Sequence, residues 1–532
     1  MDSSPSSRPL ASRIASLVHA HFDRLPARSK PKIFSDGSRE WIPMTGIVAV
    51  KERTGAKCLP ASQIPQCQGL VLHDCHAEIL AIRAFNYWLL QECHALLVEE
   101  DKSLSSVEQE DGSKSVFIQR RTYITSGDDP SRPSSQPTVN WPAFEICPDI
   151  HFYMYCTCAP CGDASMELCM AAQEDASPWE VTRRTGSDHP SPSSDQPDPA
   201  LSETMLDGRA HFSLLGIVRR KPARMDAEPT KSKSCSDKLA LRQVSSLLSV
   251  ETSHLVAPTD NVYLAGLVLP EDEISPAACA RSFSETGRMG SLRDRSWPLL
   301  QPDQSSSTTG YRFRPFQILS VPIDEVEALW PFAKPKAIST KERQIDEVEA
   351  VGVPRKAKPG NVSSIWTAAP SLSHPCLLTT DTGSKTLPVL NHSKTGLYET
   401  VINGVKQGNR QANPTARGAS SLSRAKLWGL LRNVLRSSEC LVWGDGDNGR
   451  SCSQAREGLP ATQDADSYEA FKRSEHESTS PLRVRQLAIL DTKREMKGWV
   501  PNHGDEAWSL KVLVDSNKRR KISGVNHREG GL

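Results

Sequence analysis

"LVLHDCHAEILAIRAF", residues 70–85, crowds two histidines, a cysteine, an aspartate and a glutamate into the six positions from His73 to Glu78. Behind them Ile79, Leu80, Phe85, Trp88 and Leu89 recur at helical spacing. The polar group therefore stands at the mouth of a helix whose apolar residues turn it toward a core. An imidazole at His76 can ligate a metal ion, and a carboxylate two residues on, at Glu78, can reach a water on that ion without ligating it. The triplet alone is a weak signal, because His527-Arg528-Glu529 has the same form with no apolar helix behind it.

Working outward, residues 10–25 put Leu10, Ile14, Leu17, Val18 and Leu25 on one face of an amphipathic helix. "TGIVAVK" (45–51), "HFYMYCT" (151–157) and "HFSLLGIV" (211–218) read as strands. A helix carrying Met166, Leu168 and Met170 follows Pro160, and "SCSDKLALRQVSSLLSV" (234–250) reads as a helix with a serine cap. Strands alternating with helices imply an α/β layered sheet. Between them lie segments rich in Ser, Pro, Asp and Gly, at 102–115, 126–140, 185–205, 283–310, 335–390 and 445–466. They are expected to be disordered insertions interrupting one fold.

The chain has 532 residues, 37% of them hydrophobic, so it can bury a substantial core, and its charge of +1 gives no global pull toward a polyanion. No apolar signal core opens it and no stretch reaches membrane-spanning length. Fourteen cysteines, with Cys156, Cys158, Cys161 and Cys169 in one segment, suit a reducing intracellular compartment and metal or redox chemistry.

H-x-E followed by P-C-x-x-C is the pattern of zinc-dependent nucleobase deaminases. Here Pro160-Cys161 supplies its second half, after a strand and before an expected helix start whose free N–H groups would favour a thiolate. The pattern then breaks, since position 164 is Ala164 and not cysteine. Two thiols remain for the third ligand. Cys158 would have to bend back around Pro160, or else serve as a redox pair with Cys161. Cys235 opens a second helix and repeats the electrostatics expected at Cys161. His76, Cys161 and Cys235 are therefore the expected donors, three ligands leaving one open position.

"DCHAEILAIRAF", "APCGDASM", "RRKPARMD" and "SKSCSDKLAL", in this order, resemble the tRNA-specific adenosine deaminases, which share a domain with the adenosine deaminases acting on double-stranded RNA. "RTGAKC" (53–58), "YETVINGVKQG" (398–408), "SYEAFK" (467–472) and "GWV" (498–500) extend the resemblance along nearly the whole chain outside the insertions. It implies a lead-in over 1–40 and one deaminase domain over 41–532, a cytidine-deaminase-like three-layer α/β/α core with a mostly helical C-terminal extension. It also implies hydrolytic conversion of adenosine to inosine in tRNA, at the adenosine just 3′ of the anticodon of tRNA-Ala as in the fungal-type enzymes. Zinc would sit on His76, Cys161 and Cys235, with Glu78 as the proton shuttle. The rival readings are a deaminase of double-stranded RNA or mRNA and a silent RNA-binding subunit with a structural zinc. No obligate protein partner is implied, and the location would be nuclear or cytoplasmic.

The family also buries an inositol hexakisphosphate. Arg83, Lys238, Lys221, Tyr468, Lys472 and Trp499 match its contacts or network, Arg424 matches another with Lys426 near enough to compete, and Asp74 with Lys238 matches the relay to the metal. Ile82, Leu241 and Arg242 depart from the double-stranded-RNA enzymes, so either the cavity has fewer cationic contacts or Arg242 replaces one from a shifted position. Buried cations without a counter-anion would be prohibitive. "NKRRKIS" (517–523) reads as a solvated tail, the basic residues Arg219, Arg220, Lys221, Arg224, Lys231 and Lys233 as a patch beside the site that could hold an anticodon stem, and Trp141 and Trp508 as core.

Overall fold

The computed structural model describes residues 9–36, 38–48, 50–53, 64, 66–105, 115–121, 142–172, 206–208, 214–221, 230–299, 310–334, 357–370, 396–437, 465–473 and 481–514. The central sheet has eight strands among them: β1 (Met44–Ile47), β2 (Val50–Arg53), β3 (Phe152–Cys156), β4 (Leu264–Pro270), β5 (Gln317–Val321), β6 (Ser363–Thr367), β7 (Tyr398–Ile402) and β8 (Val405–Lys406). They lie in the order β5-β4-β3-β1-β2-β6-β7-β8. β3, β4 and β5 run parallel, and every other pairing is antiparallel.

The period-2 alternation of the strands sorts the core into two layers. From β3, Phe152, Met154 and Cys156 face the layer holding α2 (Ala77–Ser105) and α4 (Cys235–Ser245), while Tyr155 faces α1 (Leu10–Asp23). The first half of α2 buries Leu80, Ala81, Ala84, Phe85, Trp88 and Leu89, as suits a helix enclosed by other elements. α1 lays Ile14, Ala15, Val18 and Phe22 on the opposite face, against Tyr155, Val268 and Trp366. The approach is close at Gly46, where a Cβ would come 2.9 Å from a Val18 methyl. This is the expected three-layer α/β/α core.

The remaining helices are α3 (Met166–Ala171), α5 (Pro276–Phe283), α6 (Ile323–Leu329), α7 (Arg424–Ser437), α8 (Tyr468–Arg473) and α9 (Pro481–Glu495). The C-terminal half is helical in α7, α8 and α9, but its first part also adds β6, β7 and β8 to the sheet. An aromatic nucleus joins these helices: Tyr468 stacks on Trp508 at 4.6 Å and Trp428 on Phe471 at 5.0 Å. Trp508 is thus core, as expected, and Trp141 lies outside the described residues. No helix among the described residues is long and apolar enough to cross a membrane.

Several sequence readings need correction. "TGIVAVK" is not one strand but a hairpin, with Ile47 paired to Val50. "HFSLLGIV" yields no strand over 214–218. Gly216 has φ +76° and its N–H goes to Asp163, so only Arg219–Arg220 is extended and paired. The stretch 283–310 packs through residue 299, because Phe283, Met289, Leu292, Trp297 and Leu299 are spaced to reach the core. Within 335–390, Ala357–Pro359 pairs with Arg39–Trp41 and Ser363–Thr367 is β6. α2 continues through Ser105, into the expected 102–115 insertion. The expected insertions at 126–140 and 185–205, and 445–464 of the last, lie outside the described residues.

Candidate active site

Three chain segments meet beyond the C-terminal end of β3. His76 immediately precedes α2, Cys161 lies in the turn after β3, and Cys235 is the first residue of α4. His76 Nδ1 is 3.7 Å from Cys161 Sγ and 3.5 Å from Cys235 Sγ, and the three donor atoms all lie within 4.8 Å of one another. The residues fit a catalytic zinc: one imidazole and two thiols form a three-ligand donor set with a fourth position left for water or substrate. Cys235, 74 residues beyond Cys161, is in bonding reach.

The electrostatics at Cys161 differ from the expectation. α3 begins only at Met166, after a short 3₁₀ turn, and spans six residues. The donor to the Cys161 sulfur is instead the backbone N–H of Cys235, at 3.3 Å, so the helix end acting on Cys161 is that of α4. Cys161 is held well below the ordinary thiol range, chiefly by a hydrogen bond from the Cys235 thiol and, against burial, by Lys221 and His76. Burial and the neighbouring Cys161 push Cys235 upward. A bare pair thus keeps one thiol protonated, and a divalent cation between the sulfurs would let both ionise. Gly162 makes the approach possible, with φ +105°, where a Cβ would lie 2.2 Å from Ser234 Oγ.

Cys158 stays outside the donor cluster, and its thiol is pushed up by burial and by Glu273. Both Cys158 and Cys161 are free thiols. Cys158→Ala is expected to keep stoichiometric metal and activity within about twofold, while Cys235→Ala loses the metal, as metal analysis of the purified variants reads directly. The reverse result would restore the Cys158–Cys161 pair.

Behind the donors, Asp74 is buried and accepts from Lys221 Nζ (2.9 and 3.2 Å), Lys238 Nζ, Ser232 Oγ (2.7 Å) and the His76 backbone N–H (3.0 Å). Burial would raise this carboxyl, but Lys221 and Lys238 outweigh it and hold it well below the usual carboxylate range. Lys221 Nζ also reaches Cys235 Sγ at 3.2 Å. The residues expected to form a relay therefore make a continuous line, Lys238–Asp74–Lys221–Cys235. Glu78, in the first turn of α2, is buried and not among the donors. Burial raises its pKa against the pull of His76, and Cys161 raises it further.

On the far side of the relay lies a cluster of cations. Arg83 donates to Leu422 O (2.8 Å), Arg242 to Leu248 O (2.8 Å), and Arg485 to the same carbonyl (2.9 Å). Arg424 reaches Asp505 O (3.0 Å) and His73 Nδ1 (3.1 Å), Lys472 pairs with Glu506, and Tyr468 donates to Glu251 (3.0 Å). Lys233 and Lys493 stand 5.6 and 5.5 Å from the Trp499 ring. Burial, then Arg485 and Arg83, lower Arg242 to about 9. Burial, then Lys238 and Lys493, lower Lys233 to about 7. Arg83 is lowered by burial and then by Arg424.

Arg242 therefore lies among these cations, while Ile82 is buried and contributes no charge. Arg424, not Lys426, belongs here, since the cation near Lys426 is Lys406. Sequence reasoning missed Arg485 and Lys493, because basic residues on a helix such as α9 look like its solvated face. The basic patch beside Cys235 also needs correction: Arg219 and Lys221 are 2% and 4% exposed and turned inward. Arg224, "NKRRKIS" and His527-Arg528-Glu529 lie outside the described residues.

Residues 53–125 and 134–305 match the adenosine-deaminase (editase) domain family. Among relatives, the tRNA-specific adenosine deaminase 1 of Schizosaccharomyces pombe is 35% identical over 317 residues, 58% of this chain and 66% of the relative. That of Saccharomyces cerevisiae is 31% identical over 291 residues, 51% of this chain and 61% of the relative. The double-stranded RNA-specific editase B2 of Rattus norvegicus is 31% identical over 129 residues, 24% of this chain and 12% of the relative. The chain thus spans just under two thirds of the length of the yeast relatives it matches.

Proposed function

We propose that this chain, a member of the adenosine-deaminase (editase) domain family, converts adenosine to inosine in tRNA by hydrolysis, at the position immediately 3′ of the anticodon of tRNA-Ala. One observation carries the reading: His76, Cys161 and Cys235 converge from three segments, while a buried Glu78 outside that donor set stands in the first turn of α2. Two tRNA-specific deaminases among the relatives favour tRNA over duplex RNA, for which the matched segment is far shorter.

His76, Cys161 and Cys235 would hold zinc, which supplies Lewis acidity that brings the pKa of water toward neutrality. Glu78 takes the proton of the attacking water on its carboxylate and delivers it to ring nitrogen N1 of adenine. Glu78 then takes the proton of the new hydroxyl on C6 and passes it to the departing amine as the C6–N bond breaks and the C6 carbonyl forms, so water and adenosine become inosine and ammonia. The target base must first leave its stack, which costs less in an anticodon loop than in a duplex. Inositol hexakisphosphate would occupy the cation cluster, held by Arg83, Lys238, Arg242, Arg424, Tyr468, Lys472 and Trp499, where its charge offsets the burial and the repulsion that lower Arg242 and Arg83.

The test is incubation of the full chain with a tRNA-Ala transcript and, separately, with a long RNA duplex, followed by sequencing for inosine. Inosine is expected beside the anticodon of the tRNA and not in the duplex. Inosine in the duplex alone would overturn the substrate reading, and none in either would favour a silent RNA-binding subunit.

A further inference from the structure

Each thiol of the candidate centre is followed two residues later by a buried aspartate, Asp163 after Cys161 and Asp237 after Cys235, 1% and 0% exposed. Asp163 accepts from the backbone N–H of Gly216 (2.8 Å), the Ser282 hydroxyl (2.9 Å) and Nε of Arg281 (3.0 Å). Asp237 accepts from the backbone N–H of Arg219 (3.0 Å), the Ser234 hydroxyl (2.6 Å) and the Arg288 guanidinium (2.6 Å). Both carboxylates therefore grip one arginine from α5 or the turn after it, and one backbone N–H of the segment 214–221. Within that segment the buried Arg219 guanidinium donates to Gly208 O (3.2 Å) and Leu214 O (2.7 Å). Burial lowers its pKa, and Asp163 and then Asp237 oppose the shift.

The held segment carries Lys221. Lys221 directly follows the extended pair Arg219–Arg220. The backbone there is fixed by Ser234 N–H to Arg219 O (2.9 Å) and by Lys221 N–H to Ser232 O (2.8 Å). We propose that Asp163 and Asp237 are positioning residues that clamp the 214–221 segment between the two cysteine turns and so set the Lys221 ammonium on the Cys235 sulfur. A hydrogen bond to a ligating thiolate draws electron density from sulfur and leaves the metal more electrophilic. The consequence rests on the metal-centre reading, whereas the clamp is a matter of contacts.

A merely structural role would weaken folding without acting through Lys221, and a mutant cycle separates the two. In the cobalt-loaded full chain, Lys221→Met is expected to move the sulfur-to-cobalt charge-transfer band to lower energy and to cut kcat about tenfold at unchanged KM. Asp237→Asn and Asp163→Asn should move the band in the same direction, with no further shift once Lys221 is methionine. Arg288→Met and Ser282→Ala, which each remove one donor to these carboxylates, give the same reading if the asparagine variants do not fold. An unmoved band in the Lys221 background, or equal shifts in both backgrounds, overturns the clamp. A parent protein that takes up no cobalt overturns the metal-centre reading itself, a separate outcome.

Discussion

Replacing Glu78 by alanine is expected to reduce inosine formation by roughly a hundred- to ten-thousandfold while the protein retains one equivalent of zinc. The expectation follows from where the carboxyl sits. It is in the first turn of α2, two residues from His76, yet the donor cluster is complete without it. Burial raises its pKa and His76 counters that, so the group can hold and release a proton in one catalytic cycle. Glu78→Gln keeps the volume and a carbonyl oxygen but cannot carry the proton, and should lose as much activity as alanine. Zinc content by mass spectrometry and inosine by sequencing report the two halves separately. A variant within a few-fold of the parent would remove Glu78 as the shuttle, and loss of zinc would move it into the donor set.

The cluster of His76, Cys161 and Cys235 was legible because short-range chemistry marks its members. His76 and Glu78 precede an apolar helix, Pro160-Cys161 follows a strand, and Cys235 follows a serine that does cap α4, accepting the N–H of Asp237. What could not be read was which helix end serves which sulfur. Cys161 looked like the start of its own helix, but its donor is the N–H of Cys235 on another segment, a relation fixed only by tertiary packing. The same holds for the strands. "TGIVAVK" is apolar enough for one strand, and only the pairing of Ile47 with Val50 reveals a turn. β6 pairs with β2, near the other end of the chain, and β7 joins the sheet only through β6 and β8. Arg485 escaped notice because burial of a guanidinium on α9 depends on what packs over it, which periodicity does not encode.

Lys238→Ala is expected to lower soluble yield several-fold, together with activity and with the phosphorus content of the purified protein. Lys238 lies one turn along α4 from Cys235, on the same face. Its ammonium touches both Asp74 and Ser232, and through Asp74 it faces Lys221 and the metal donors. On its other side is the cation cluster, where burial and mutual repulsion depress Arg83, Arg242 and Lys493. Removing one partner of a buried ion pair costs roughly 3–5 kcal/mol. Asp74 keeps Lys221, so the low end applies, still a large part of the roughly 5–15 kcal/mol that holds a domain folded. Burial first, and then neighbouring cations, disfavour the bare charges of Arg83, Arg242 and Lys493. A polyanion bound during folding would turn that repulsion into attraction, and losing Lys238 removes one of its contacts. Phosphorus analysis of the parent should therefore find a polyphosphate at one per chain, and the variant should contain less of it in whatever fraction folds. Normal yield of a parent protein containing no phosphorus would mean that these side chains reach solvent or counter-ions, and the cofactor reading would fall with that result.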